Sequence, residues 1–199
     1  MPPERGQSLS ANRLTFARMT NDWTNELTEQ LDWHWQNHVR PRLEGLTDDE
    51  YFWQPVADCW TVRPRTSENE PGTGDFTVDF SFPEPTPPPV TTIAWRLAHI
   101  IPGVLGMRSA SHFGGPPVSY QDFPYAGTAD EALKQLDDAY ATWIAGVRSL
   151  DAEALARPCG PAEGPYAELS MAALVLHINR EMIHHCAEIL LLRDLYRNR

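Results

Sequence analysis

Cysteine is scarce in this chain. Its 199 residues include three, Cys59, Cys159 and Cys186, and no two of them form a CxxC or CxxxxC pair. An odd number of widely spaced cysteines argues against a disulfide framework and against a cysteine-based zinc site. We therefore expect a protein of a reducing compartment, the cytoplasm.

Long apolar runs and clusters of basic residues are missing as well. No run approaches the roughly 18 apolar residues that a membrane span needs, and residues 1–5 carry no secretory signal. The formal net charge is −11 without a Lys/Arg cluster, which argues against binding nucleic acid through its phosphates. Motifs of P-loops, dinucleotide folds, Gly-x-Ser-x-Gly hydrolases and His-Glu-x-x-His proteases are absent. The expected partner is a small-molecule substrate, with no nucleic acid and no membrane.

What is present is the composition of one globular domain. Hydrophobic residues make up 42% and charged residues 22%, with seven tryptophans, enough to bury a sizeable core. The polar, mixed residues 1–19 are predicted to be a flexible N-terminal tail. Residues 20–199 are predicted to form a single helical domain.

Helical periodicity predicts an all-α fold, a four-helix bundle. Capping boxes at Thr47–Glu50 and Thr128–Glu131 mark two helix starts. Residues 61–90 contain seven prolines and an alternating stretch at 76–82, which predicts an extended segment or one strand pair in a long crossover between helices 1 and 2. The long helices are expected at about 21–43, 93–112, 129–150 and 168–197, with a short one at 49–54.

The last helix carries a run of ionisable residues within an apolar sequence. Five of them are spaced i, i+4, i+7, i+8 and i+11, which places all five within about a third of the helix circumference. Burying such groups together is costly unless they are hydrogen-bonded, paired or bound to a cation. The five are His177, Glu181, His184, His185 and Glu188.

The apolar stripe of the same helix indicates which of these residues face the core. On a helical wheel His185 lies at the centre of the stripe and Glu181 near its edge, one turn away. His184 and His177 fall toward the opposite flank. Glu181 and His185 are thus the better ligand pair, and a third ligand must come from another element.

A third ligand is offered by His99, in the second long helix. Gly103 and Gly106 follow it on its own face and leave space beside the imidazole, while Pro102 removes a backbone donor and bends the helix. His99, Glu181 and His185 make a His2Glu set with open coordination positions, the pattern of a catalytic metal site.

Other polar residues receive supporting roles. His34 and His38, also four apart, are either a rival metal pair or pocket lining, and we favour lining. His177 and His184 are expected at the pocket rim, and Glu188 as an acceptor that orients an imidazole. The arginines Arg96 and Arg180 are either receptors for an anionic substrate or salt-bridged. A di-iron site is excluded because Glu181–His184 is the chain's lone Glu-x-x-His motif.

These residues carry a family resemblance. The histidine in Trp-Arg-Leu-Ala-His99-Ile and the late helix ending in Leu-Leu-Arg-Asp-Leu-Tyr resemble the DinB-like superfamily of metal-binding bundles, in helix order over about residues 20–197. Its members carry one ligand on the second helix and two on the fourth, which implies His99, Glu181 and His185. Most use three histidines, and this chain is similar to the branch of mycothiol-dependent maleylpyruvate isomerase, which uses His, Glu and His. Cys186 departs from that pattern. It is a redox-sensitive thiol, a weak extra ligand or merely a small buried side chain.

The resemblance implies a bound divalent metal ion, zinc first, with nickel or manganese as alternatives. It also implies mycothiol or another small thiol as cosubstrate. The leading hypothesis is a metal-dependent enzyme that activates a thiol or water as a nucleophile. The enzyme would transfer the thiol to a small electrophile, isomerise that electrophile or hydrolyse it. The rival is a non-catalytic metal-binding, structural or stress-sensor protein, alone or as a homodimer. A third hypothesis is a metal-free, hydrogen-bonded polar core.

Overall fold

The computed structural model describes residues 22–199. The flexible tail predicted at residues 1–19 lies outside the described residues. Within the described part the chain is mostly helical, with a small antiparallel sheet of two strands. The all-α expectation is therefore confirmed at the level of secondary structure.

The first helix begins at Asp22, whose carboxylate accepts the backbone N–H of Asn25. Helix α1, Trp23–His34, continues as a π-helical turn, Trp35–Val39, and a short 3-10 turn, Pro41–Leu43. Proline has no N–H and disfavours the helical conformation of the residue before it. That explains the irregular end of this helix.

The connection to the next long helix contains the sheet. Helix α2, Asp48–Tyr51, begins in a complete capping box of Thr47 and Glu50 and is shorter than the sequence predicted. Strand β1, Val62–Pro64, then pairs antiparallel with β2, Phe76–Val78. Of the two alternatives for residues 61–90, the strand pair is the correct one.

The second long helix is interrupted immediately after His99. Helix α3, Ile93–His99, passes into a π-helical segment, Ile100–Gly106, and then into α4, Met107–Phe113. Pro102 lies inside the π-helical segment and cannot donate to an α-helical hydrogen bond. Such wide turns inside α-helices are frequent at functional sites.

The remaining helices follow the sequence prediction closely. Helix α5 is Ala129–Arg148 and α7 is Met171–Arg197, and a short helix between them, α6, is Ala152–Ala156. A 3-10 turn, Pro161–Tyr166, precedes α7. Each of the three α-helices starts at a side chain that accepts a backbone N–H in its first turn: Thr128, Asp151 and Ser170.

Helix α7 runs against α1 and α3, while α5 packs against α1, α3 and α4. This packing places the C-terminal end of α3 beside the middle of α7. None of the helices in residues 22–199 has the length and hydropathy needed to cross a lipid bilayer. The centre of the core is filled by large buried side chains: Leu31, Leu97, Ile100, Leu136, Trp143, Ile178 and Met182.

A buried ion pair attaches α2 to the end of α7. Arg193 is 2% exposed and Glu50 3%. The Nε of Arg193 lies 3.1 Å from Oε1 of Glu50, and the same guanidinium donates to the backbone carbonyls of Arg42 and Glu44. Glu50 thus caps its own helix and also neutralises a buried arginine.

Candidate metal centre

Two histidines from different helices meet where α3 ends beside α7. The ring centroids of His99 and His185 are 4.8 Å apart, and the rings are nearly perpendicular. His185 is buried, as its position on the apolar stripe predicts, and His99 is partly buried. The helical wheel identified the buried histidine, but only the packing of α3 on α7 brings the two imidazoles together.

His185 has a carboxylate at each ring nitrogen. Its Nε2 lies 3.5 Å from Oε2 of Glu181, and its Nδ1 lies 2.7 Å from Oε2 of Glu188. A carboxylate at Nδ1 favours the tautomer with the proton on Nδ1, which leaves the lone pair on Nε2. The Nε2 side, where Glu181 lies, is therefore the side on which His185 can bind a cation.

His99 is held by aromatic side chains. Its ring stacks on Trp95, with centroids 5.6 Å apart, and its Nδ1 lies 2.9 Å from the hydroxyl oxygen of Tyr120. Burial, together with the neighbouring His185 and Arg96, lowers the pKa of His99 to about 4. His99 is thus a neutral imidazole at pH 7, the form that binds metals.

Arg96 divides the site into two sides. Its guanidinium lies 3.0 Å from Oε2 of Glu188 and 3.4 Å from Nδ1 of His185. A cation on this side would be repelled by the guanidinium and would compete with it for the carboxylate. The residues on the opposite side, Glu181 and the Nε2 atom of His185, fit a divalent cation better.

A second group of ligand atoms competes on distance alone. The donor atoms of His184, His185 and Glu188 lie within 4.8 Å of one another, and this group includes neither His99 nor Glu181. However, the side chain of His184 is 63% exposed, and Glu188 is already paired with Arg96. The electrostatics favour the set that contains His99 and Glu181. The short distances between donor atoms favour the set of His184, His185 and Glu188.

His177 lies one turn before Glu181 on α7. His177 Nδ1 is 2.6 Å from Nη2 of Arg180 and 3.5 Å from Oε1 of Glu181. The Nε atom of Arg180 is 3.6 Å from the same Glu181 oxygen, but its side chain is 69% exposed. Both arginines named from the sequence are therefore salt-bridged, Arg96 firmly and Arg180 in a solvent-screened position.

The structure places His34 and His38 together, on α1 and its π-helical extension. Their ring centroids are 5.8 Å apart, and His38 is exposed and contacts Trp33 edge-on. Burial and the neighbouring His38 lower the pKa of His34. The polar contacts of His99 and His185 described above do not include either of them.

The space beside Gly103 is filled rather than open. A Cβ atom built on Gly103 would overlap the phenol of Tyr120. The glycine thus allows a close approach, as the sequence indicated, but the approaching group is a side chain of the protein itself. Sequence reasoning missed Tyr120 because it lies in an irregular loop without periodicity, and the glycine one turn after His99 was the signal available.

Cys186, next to His185, is a buried thiol. Burial raises its pKa to about 12. A thiol with so high a pKa is neither a good nucleophile nor a good metal ligand at neutral pH. Of the three roles open for it, the small buried side chain agrees with the structure.

A sizeable cavity lies beside the π-helical segment that follows His99. It measures about 350 Å³ and lies between Gly106, Val118 and α5. Its wall is mostly apolar, and His99, Glu181 and His185 are not part of it. The loop that carries Tyr120 contributes to both regions, since Val118 lines this cavity and Tyr120 contacts His99.

Comparison with family models identifies one family. The model of the DinB superfamily matches residues 30–189, which include all the ionisable residues of the site. Curated proteins and solved structures give no significant match. The match extends from α1 to the middle of α7 and covers most of the chain, so the chain belongs to the DinB superfamily.

Proposed function

We propose that this protein binds one divalent metal ion, zinc in the first instance, through His99, Glu181 and His185. The observation that carries the proposal is the pair of nearly perpendicular imidazoles 4.8 Å apart, with a carboxylate beside one of them. Three protein ligands leave coordination positions open, which is typical of catalytic rather than structural sites.

Charge supports this set of ligands. Arg96 and Glu188 neutralise each other. An imidazole binds a metal in its neutral form, which is the form of His99 at pH 7. Glu181 remains as a carboxylate whose nearest arginine is 3.6 Å away and largely in solvent. A cation between Glu181 and the two imidazoles would balance that charge in a partly buried site.

The activity we propose is thiol transfer to, or isomerisation of, a small electrophile, with metal-dependent hydrolysis as the variant that uses water. A divalent ion held by three ligands lowers the pKa of a bound thiol or water and so supplies a nucleophile at neutral pH. Among the protein's own residues, Glu188 would hold the tautomer of His185, and Trp95 would shield His99 from solvent. A low-molecular-weight thiol such as mycothiol would be the cosubstrate.

We extend the proposal to the architecture and setting. The four long helical stretches would form a four-helix bundle of the DinB type, with residues 61–90 as the crossover between the first two. Residues 20–199 would be one domain, acting in the cytoplasm on a small molecule, without nucleic acid or membrane partners. His34, His38, His177 and His184 would line the approach to the site.

A non-catalytic metal-binding or sensor protein, alone or as a homodimer, is the second candidate. It is favoured by the 350 Å³ cavity, which does not include the three proposed ligands. In that case metal binding would raise stability without turnover of any electrophile.

Metal content tests the proposal first. Protein purified without added metal or chelator is analysed for zinc, nickel and manganese, beside Glu181→Ala and His185→Ala. We expect about one ion per chain in the wild type and loss of the ion in both variants. A wild type that also fails to take up added zinc, nickel or manganese would support a metal-free polar core instead.

The two competing sets of ligands are separated by a matched pair of variants. His99→Ala should abolish metal binding, whereas His184→Ala should retain it. The opposite result would move the site to His184, His185 and Glu188. Thiol-dependent turnover of electrophiles that survives Glu181→Ala would remove the enzymatic part of the proposal.

A further inference from the structure

Tyr120 contacts the proposed metal site from outside the two helices that form it. It lies in the loop between α4 and α5, and its hydroxyl oxygen is 2.9 Å from Nδ1 of His99. The two rings are nearly parallel, with centroids 6.5 Å apart. Because Nδ1 is thereby occupied, the nitrogen of His99 left for a metal is Nε2.

The backbone around Tyr120 is itself anchored. The hydroxyl of Tyr125 donates to the carbonyl of Tyr120 at 2.8 Å, and the N–H of Gly72 donates to the carbonyl of Gln121 at 2.9 Å. The loop is therefore held to its own next turn and to the segment before β2. A residue anchored in this way can fix the position of a side chain that it contacts.

Gly103 in the neighbouring helix leaves space for the phenol. Tyr120 occupies the space that any side chain at position 103 would need. Glycine inside a helix is less stable than alanine. The approach of the phenol to His99 is the compensating contact that the structure supplies.

We propose that Tyr120 is a positioning residue, which holds the His99 ring by Nδ1 so that Nε2 faces the metal. The inference rests on the function proposed above, because it concerns the same site. With a metal on Nε2, His99 would carry its proton on Nδ1, and this N–H would donate a hydrogen bond to the phenol oxygen. A hydroxyl suits this position, since it can accept that hydrogen bond when metal is bound and can donate one to Nδ1 when it is not.

Tyr120→Phe removes the hydroxyl and leaves the ring. We expect its zinc affinity, measured by competition with a chromophoric chelator, to fall about 10- to 100-fold, as is usual when the partner of a metal-binding histidine is lost. Tyr51→Phe is the matched control, because it removes a buried hydroxyl that donates to the carbonyl of Ala126 at 3.0 Å. Its zinc affinity should equal that of the wild type.

A second pair of variants reaches the same contact from the helix. Gly103→Ala keeps the hydroxyl but displaces it from His99, and should weaken zinc binding as Tyr120→Phe does. Gly106→Ala is its control, since a Cβ there would meet Ile101 and Val118 rather than Tyr120. Nitrogen-15 spectra of the zinc-loaded wild type should show His99 protonated at Nδ1, with that signal shifted in Tyr120→Phe and unchanged in Tyr51→Phe.

The outcomes separate this inference from the proposed function. A wild type that binds no zinc overturns the proposed function, and this role of Tyr120 with it. Wild-type zinc affinity in Tyr120→Phe, or a wild-type His99 that binds zinc through Nδ1, overturns the role of Tyr120 alone. Weaker binding in Tyr120→Phe and Gly103→Ala, with both controls unchanged, supports it.

Discussion

The buried pair of Arg193 and Glu50 gives the sharpest prediction about stability. Replacing Arg193 with methionine keeps most of the buried volume and removes the guanidinium. Glu50, 3% exposed, then loses its buried cation, and the carbonyls of Arg42 and Glu44 lose a donor. Of the charged contacts between α2 and α7, the pair of Glu50 with the largely exposed Arg197 would remain.

The size of the effect follows from the burial of both partners. Removing one member of a buried ion pair leaves an uncompensated charge and costs about 3–5 kcal/mol. In a chain of this size, 1 kcal/mol corresponds to about 2–4 °C in Tm. We therefore expect Arg193→Met to lower the free energy of unfolding by about 3–5 kcal/mol and Tm by about 6–20 °C.

Urea denaturation followed by circular dichroism measures this loss. Arg197→Met is the matched control, because Arg197 also contacts Glu50, at 3.3 Å, but its side chain is 52% exposed. An exposed pair contributes at most about 1 kcal/mol. The double variant Glu50→Gln with Arg193→Met should lose less free energy of unfolding than the two single variants together. When both positions are neutral, no unpaired charge is left between them.

Equal losses in Arg193→Met and Arg197→Met would refute this reasoning. So would strict additivity of the two changes at Glu50 and Arg193. Either result would mean that the pair is no stronger than a surface contact, despite its burial.

Three further predictions concern protonation, thiols and packing. Without metal, unfolded His99 binds its proton at its usual pKa near 6.5, whereas folded His99 binds it only at a pKa of about 4. The free energy of unfolding should therefore decrease by up to about 3 kcal/mol as the pH falls from about 6.5 to 4. Urea denaturation of His99→Gln should lack this contribution. A colorimetric thiol reagent should find no fast-reacting cysteine in the native protein and three after denaturation, since all three are buried. Rapid labelling of the native protein would contradict this burial. Gly146→Ala should destabilise the fold by about 1–3 kcal/mol, because a Cβ there would overlap the Phe113 ring, whereas Gly74→Ala, which has open space, should be close to neutral in thermal melts.

The sequence alone determined most of the local structure. The caps at Thr47 and Thr128 and the 3.6-residue period predicted where helices begin and which faces are buried, because these features depend on neighbours within one turn. The same period identified His185 as a buried histidine and His184 as an exposed one. The resemblance at His99, Glu181 and His185 led to the family that the comparison confirmed.

The tertiary structure decided what no local pattern contains. The contact of His99 with His185, the phenol of Tyr120 against Gly103 and the pairing of Arg193 with Glu50 each join residues that are distant in the chain. From Pro102 the sequence predicted a bend after His99, but not the π-helical conformation found there. Helical periodicity shows which face of a helix is buried. It does not show which distant side chain contacts that face, because many residues far apart in sequence would satisfy the same pattern. The packing of the helices and the path of the loops determine that contact.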